Sequence, residues 1–150
     1  LLPYSLYVEP PADKPHHHYR RLGDDLYFRY FLTGKCGANA RNGIDAAALA
    51  AAARVLNRPE LATHGYRLLE WTLGNNPFQM STMNGVGVLQ PCALSFQMGN
   101  VPGGVTLGIF GDEDDQPWYP HPWASTDEYY GYQTSQFMWA LLALQDVAIG

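Results

Sequence analysis

The chain has 150 residues, 47% of them apolar and only 15% charged, with a formal net charge of −5. That length supports one domain with a real core, and the acidic balance, with no basic stripe, excludes a surface that neutralises nucleic-acid phosphates. No apolar run approaches the ~20 residues a membrane span needs; FMWALLAL at 137–144, among the longest, is far too short.

Residues 1–22 read as irregular and extended, because Pro3, Pro10, Pro11 and Pro15 forbid a regular helix there. The opening has no basic region, long apolar core or small-residue cleavage site of a signal peptide. It also has no initiator Met, so a processed or internal piece of a longer protein is expected. His16, His17 and His18 are consecutive. On an extended segment they point to alternate sides and cannot all face one metal, so the cluster reads as a polar lining or surface.

Residues 23–34 contain LYFRYFL, a short helix or a buried strand, which periodicity does not separate at this length. A Gly- and Asn-rich loop, KCGANARNG, follows. From 44 to 56, IDAAALAAAARVL is dense in the strongest helix former and predicts a helix. Ile44, Leu49, Ala52, Val55 and Leu56 share its broad face, and the remaining alanines permit close neighbours. Asn57-Arg58-Pro59-Glu60 is a turn and a helix start: a capping Asn, a first-turn proline, and an acid at the positive helix end. The next helix runs to about Leu73, with Leu61, Leu68, Leu69, Thr72 and Leu73 inward. Gly74 ends it and Pro77 prevents resumption. So short a connection predicts an αα-hairpin.

Residues 73–87, LGNNPFQMSTMNGVG, form an uncharged, turn-rich stretch. Loops of this length are usually functional or disordered, and Phe78, Met80, Met83 and Val86 favour an ordered one. Residues 75–124 are loop-dominated, with VTLGIF as a source of brief strands. Cys36 and Cys92 form one disulfide or remain two buried thiols; the count does not decide. STDE at 125–128 is a capping box with Ser125 at the cap and Glu128 three residues on. It opens a last helix, about Asp127 to Val147, that is apolar all round from 137 to 144. Such a helix is buried on every side, which predicts a larger assembly or a missing half.

Taken in order, these segments resemble a known family. A helix followed by LGNNPFQMSTMNGVG, then NVPGGVTLGIFGDEDD, then an acid opening STDEYYGYQTSQFMWALLAL resembles family 9 glycoside hydrolases and their bacterial relatives. The Ala-rich helix and RPELATHGYRLLEWTLG fit the same order, and the similarity covers roughly residues 35–148. The resemblance implies an all-α fold, αα-hairpins forming part of an (α/α)6 toroid, with residues 1–150 as the C-terminal part of that one domain. It implies hydrolysis of a β-linked oligo- or polysaccharide by an inverting acid/base mechanism, in an extracellular or periplasmic setting. Glu128 matches the catalytic acid, and Asp127 is the backup carboxylate. The base aspartates lie in the family's N-terminal half, so the base would come from the remaining part of the toroid or another chain. A His-Arg pair that the family carries after the glycines is absent from VLQPCALSFQMG.

Trp118, Tyr119 and Trp123, rigidly presented between prolines, either pack over the neighbouring hairpin or offer faces on which sugar rings stack. Tyr129, Tyr130 and Tyr132 form a polar-tipped cluster beside Glu128, and equally read as interface residues. Asp112, Glu113, Asp114 and Asp115 suggest either a solvated acidic loop or calcium held near Asp112, Asp114 and Asp115. No nucleophile elbow surrounds Ser81, Ser95 or Ser125. The alternative to an enzyme is a non-catalytic assembly or carbohydrate-binding protein on the same helical scaffold.

Overall fold

A computed structural model describes residues 1–32, 37–90, 101–120 and 124–147, with the side chains of 124 and 125 excepted. Cys36 and Cys92, with the question of their pairing, lie outside the described residues.

The N-terminal part is not irregular. β1 (Ser5–Tyr7) and β2 (Arg20–Leu22) flank β3 (Leu26–Arg29) in an antiparallel sheet of order β1-β3-β2. Leu6 lies opposite Phe28, and Arg21 opposite Tyr27. The prolines do forbid helix, but they stand before β1 or between β1 and β2 rather than in the strands. LYFRYFL thus contributes a strand, fixed by two partners rather than by its own periodicity.

The helices start differently from expectation. α1 (Asn39–Val55) begins five residues before the alanine tract, and α2 (Glu60–Thr72) follows after a short turn. A two-stranded hairpin, β4 (Phe110–Gly111) and β5 (Pro117–Trp118), brackets the acidic loop. Then come a single helical turn, α3 (Ala124–Asp127), and α4 (Gly131–Gln145). α1 packs against both α2 and α4, which also touch each other. The core between them holds Ala46, Ala47, Ala50 and Ala53 of α1, Ala62, Leu68 and Leu69 of α2, and Phe137, Ala140 and Leu144 of α4.

The buried face of α1 is therefore the alanine face. Val55 and Leu56, expected inward, are exposed. The reason is proximity. A Cβ added to Gly43 would lie 2.8 Å from the backbone carbon of Gln136 on α4. At that separation only small residues fit between the axes. Gly43→Val is accordingly expected to cost about 1–3 kcal/mol through overpacking, read as a lower urea midpoint at unchanged slope.

These elements do not make a ring of hairpins. The described residues hold three long helices, one helical turn and two small antiparallel sheets, a mixed α/β arrangement that overturns the toroid implied by the resemblance. α4 is not enclosed within this chain either: Phe137, Ala140 and Leu144 face the core, while Met138, Trp139 and Leu142 stay exposed. α4 does not open at STDE. Ser125 lies inside α3, Glu128 and Tyr129 are drawn into backbone pairing with Leu107 and Thr106, and Tyr130 precedes α4 in extended conformation with no side-chain cap. No helix among the described residues is long and apolar enough to cross a membrane.

Candidate functional site

The site is organised by a buried ribbon, residues 105–109, from the stretch read as a source of strands. One edge meets the segment carrying the candidate acid: Leu107 N donates to Glu128 O at 3.0 Å, and Gly108 N to Thr126 O at 2.8 Å. The other meets the start of α1, where Ala38 N donates to Ile109 O at 2.7 Å and Asn39 N to Leu107 O at 3.2 Å. Helix N-termini leave their first amides without intrahelical partners; here the ribbon supplies carbonyls next to them.

Asn39 joins the layers. Its Nδ2 donates to Thr82 Oγ1 at 2.8 Å and to Thr106 O at 2.9 Å, and its Oδ1 accepts from Thr72 Oγ1 at 3.2 Å. The side chain is buried and fully engaged. Gly108 makes room for it, since a Cβ there would lie 2.5 Å from the Asn39 amide, and its φ of 89° is itself a conformation that favours glycine.

The uncharged loop is ordered by its own asparagines. Asn76 Nδ2 donates to Trp71 O at 2.7 Å and Met80 O at 2.8 Å, while its Oδ1 accepts from Phe78 N at 3.1 Å. This places Phe78 against Tyr119, with ring centroids 6.1 Å apart. It also places Asn84 so that its Nδ2 donates to the Tyr129 hydroxyl. Asn84 is a site residue that the sequence reading missed; its only signal was its place in the turn-rich stretch.

The two adjacent acids occupy different surroundings. Asp127 is fully buried and accepts a hydrogen bond from the Tyr119 hydroxyl. Burial first, and the bond to Asp127 second, push the Tyr119 pKa well above its ordinary value, so it remains a protonated donor. Glu128 is half-buried, and its Oε2 accepts from the Tyr130 hydroxyl at 2.9 Å.

No protein-family model and no curated protein matches this chain. The residues themselves therefore carry the functional reading.

The structure joins some of the expected site residues and separates others. Glu128 and Tyr130 are hydrogen-bonded, and Tyr130 is half exposed. Trp118, on β5, is 46% exposed, with its ring 5.1 Å from Phe110. Tyr129 is turned inward to Asn84. Tyr132 belongs elsewhere: it lines a cavity of about 320 Å³ with Tyr4, Tyr30, Arg41 and Ile44. Trp123 lies outside the described residues.

The acidic loop contains a structural link. Asp115, fully buried at a φ of 59°, accepts from Arg20 Nε at 2.7 Å and from the backbone amides of Tyr30 and Phe31 at 3.0 Å. Arg29, also buried, lies 3.8 Å away and donates to the carbonyls of His18, Asp112 and Glu113. Of the acids read as a calcium loop, Asp115 thus turns its carboxylate toward the sheet, and Asp112 Oδ1 accepts from Gln116 N at 2.8 Å.

Proposed function

We propose that the chain is part of a carbohydrate-active protein that hydrolyses a β-linked glycan, with Glu128 as proton donor to the leaving glycosidic oxygen. The observation that carries this reading is the setting of Glu128. Its backbone carbonyl is bonded to the buried ribbon at Leu107, while its carboxylate sits half-exposed on the Tyr130 hydroxyl. A catalytic acid needs such a combination of fixed backbone and reachable carboxyl. The ordered resemblance of motifs supports the same residue.

In this mechanism the Glu128 proton passes to the leaving oxygen as the glycosidic bond breaks. Water, deprotonated by a second carboxylate, attacks the opposite face of the sugar. Inversion requires the two carboxyl groups to stand about 6.5–9.5 Å apart. Asp127 does not serve as that base, being buried and bonded to Tyr119. The base is supplied from outside residues 1–150, by another segment or another chain. Tyr130 and Trp118 present faces for sugar rings. An extracellular or periplasmic setting fits a polymeric substrate.

Supplied with the complementary segment, Glu128→Gln is expected to lower kcat about 10²–10⁴-fold with little change in KM. Unchanged turnover would remove Glu128 from the chemistry. One observation favours a second reading, a non-catalytic carbohydrate-binding protein: the carboxylate next in sequence to Glu128, Asp127, is fully buried and bonded to Tyr119. That reading predicts glycan binding in both forms and hydrolysis in neither.

A further inference from the structure

His16 and His17 do not lie on an extended segment. His17 N donates to Lys14 O at 3.1 Å, closing a turn with Pro15 at its second position, where the fixed proline φ favours turning. The alternation that would send adjacent side chains to opposite sides is therefore lost. The two imidazoles stand edge to face, centroids 4.5 Å apart. Glu113, from the acidic loop 97 residues later in the sequence, comes to meet them.

We infer that His16, His17 and Glu113 form a binding site for a transition-metal dication, zinc(II) in the first place. One imidazole nitrogen from each histidine and one carboxylate oxygen of Glu113 lie within 4.8 Å of one another. One of these separations, His16 Nε2 to Glu113 Oε1, is 3.6 Å. That is too long for a good hydrogen bond. It is close to the edge of a zinc tetrahedron, about 3.3–3.6 Å for bonds of 2.0–2.2 Å. Two imidazoles and one carboxylate are a borderline donor set that suits zinc, with the fourth position left to water.

The backbone around the three ligands is held independently of any ion. His18 N donates to Glu113 O at 2.7 Å, and Arg29 bridges the carbonyls of His18 and Glu113. The turn and the acidic loop are thus already in register, so binding orders little more than three side chains. Arg29 and Lys14 are the cations facing His17, with Glu113 opposing them.

The role assigned is a cross-link between the N-terminal strap and the acidic loop. His16 and Glu113 are both well exposed at their side chains, so the ion meets solvent rather than a closed cleft.

The test is titration of the 150-residue chain with zinc, followed by calorimetry and thermal unfolding, with cobalt(II) as a spectroscopic stand-in. One zinc per chain and a raised unfolding midpoint that a chelator reverses are expected. His16→Ala, His17→Ala and Glu113→Gln should each weaken binding about tenfold or more, whereas His18→Ala should bind as the parent does. His16, His18 and Glu113 are exposed and His17 is partly so, and an unchanged circular dichroism spectrum shows that each variant has folded. Absence of binding at millimolar zinc would overturn the assignment. So would undiminished affinity in the three variants, or thiolate charge-transfer bands with cobalt, which would place the ion on cysteine.

Discussion

Asp115→Ala is expected to lower stability by about 3–5 kcal/mol, the usual consequence of removing one member of a buried ion pair. Asp115 is fully buried, and its carboxylate serves three donors, Arg20 Nε on β2 and the Tyr30 and Phe31 amides just after β3. Arg20 is bonded to it from 95 residues away in sequence, and the buried Arg29 guanidinium lies beside it. Removing the carboxylate leaves the Arg29 charge uncompensated in the interior and the Tyr30 and Phe31 amides without that acceptor. Alanine also fits poorly at a φ of 59°.

Asp115→Asn separates these effects. It keeps the size and the tolerance for that backbone conformation but removes the charge, so a smaller loss is expected than for alanine. Arg29→Met combined with Asp115→Asn should recover part of the loss, because the stranded cation is gone. Urea midpoints measure all three. Hydrogen exchange would show the loss first in amides of β1, β2 and β3, since the ion pair joins that sheet to the loop. A midpoint for Asp115→Ala within about 1 kcal/mol of the parent would mean that the sheet is held by other contacts.

Much of α2 was legible because its signals are local. Pro59 and Glu60 mark its start, Leu68, Leu69 and Thr72 are inward, and Gly74 follows it at a φ of 118°. The alanine tract announced a helix but not its buried side. The choice between Val55 and Ala50 as core residues depends on how near α4 approaches at Gly43, which no helical period records. The strands were hidden for a related reason. Each has two to four residues, and β1 pairs with a strand more than twenty residues away. Short apolar runs reveal such partners only after the chain has folded.

The capping box shows a local signal losing to a non-local one. Ser125 and Glu128 have the right spacing, yet Glu128 and Tyr129 bond across to Leu107 and Thr106, so α4 waits until Gly131. The same pairing makes Glu128 a fixed, half-exposed carboxylate instead of a capping group. The sequence order that suggested a family did not carry the ring of helices, because motif order says little about how segments close on one another. Tyr132 was grouped with Tyr129 and Tyr130 by nearness in sequence, and the start of α4 rotates it toward the N-terminal sheet and the 320 Å³ cavity.

Asn39→Ala is expected to lower stability by about 2–4 kcal/mol, although it deletes only a small amide. The loss is not one of apolar contact. The Thr106 carbonyl and the Thr72 hydroxyl each lose their Asn39 partner in a buried layer, and an unmatched buried polar group costs about 1–3 kcal/mol. Asn39→Asp preserves the volume and the acceptor but removes the donors, and it aims a carboxylate at the Thr106 carbonyl. If hydrogen bonding governs, aspartate is at least as damaging as alanine; if volume governs, it is benign. The comparison also reaches the proposed site. Asn39 holds Thr106, and the next residue, Leu107, holds the carbonyl of Glu128. A loosened ribbon should therefore move the carboxylate without any substituted atom touching a glycan, lowering kcat more than binding under conditions where the variant is still folded. A variant that is destabilised as expected, yet leaves turnover intact in the assembled protein, would show that the position of Glu128 is set from the α3 side alone.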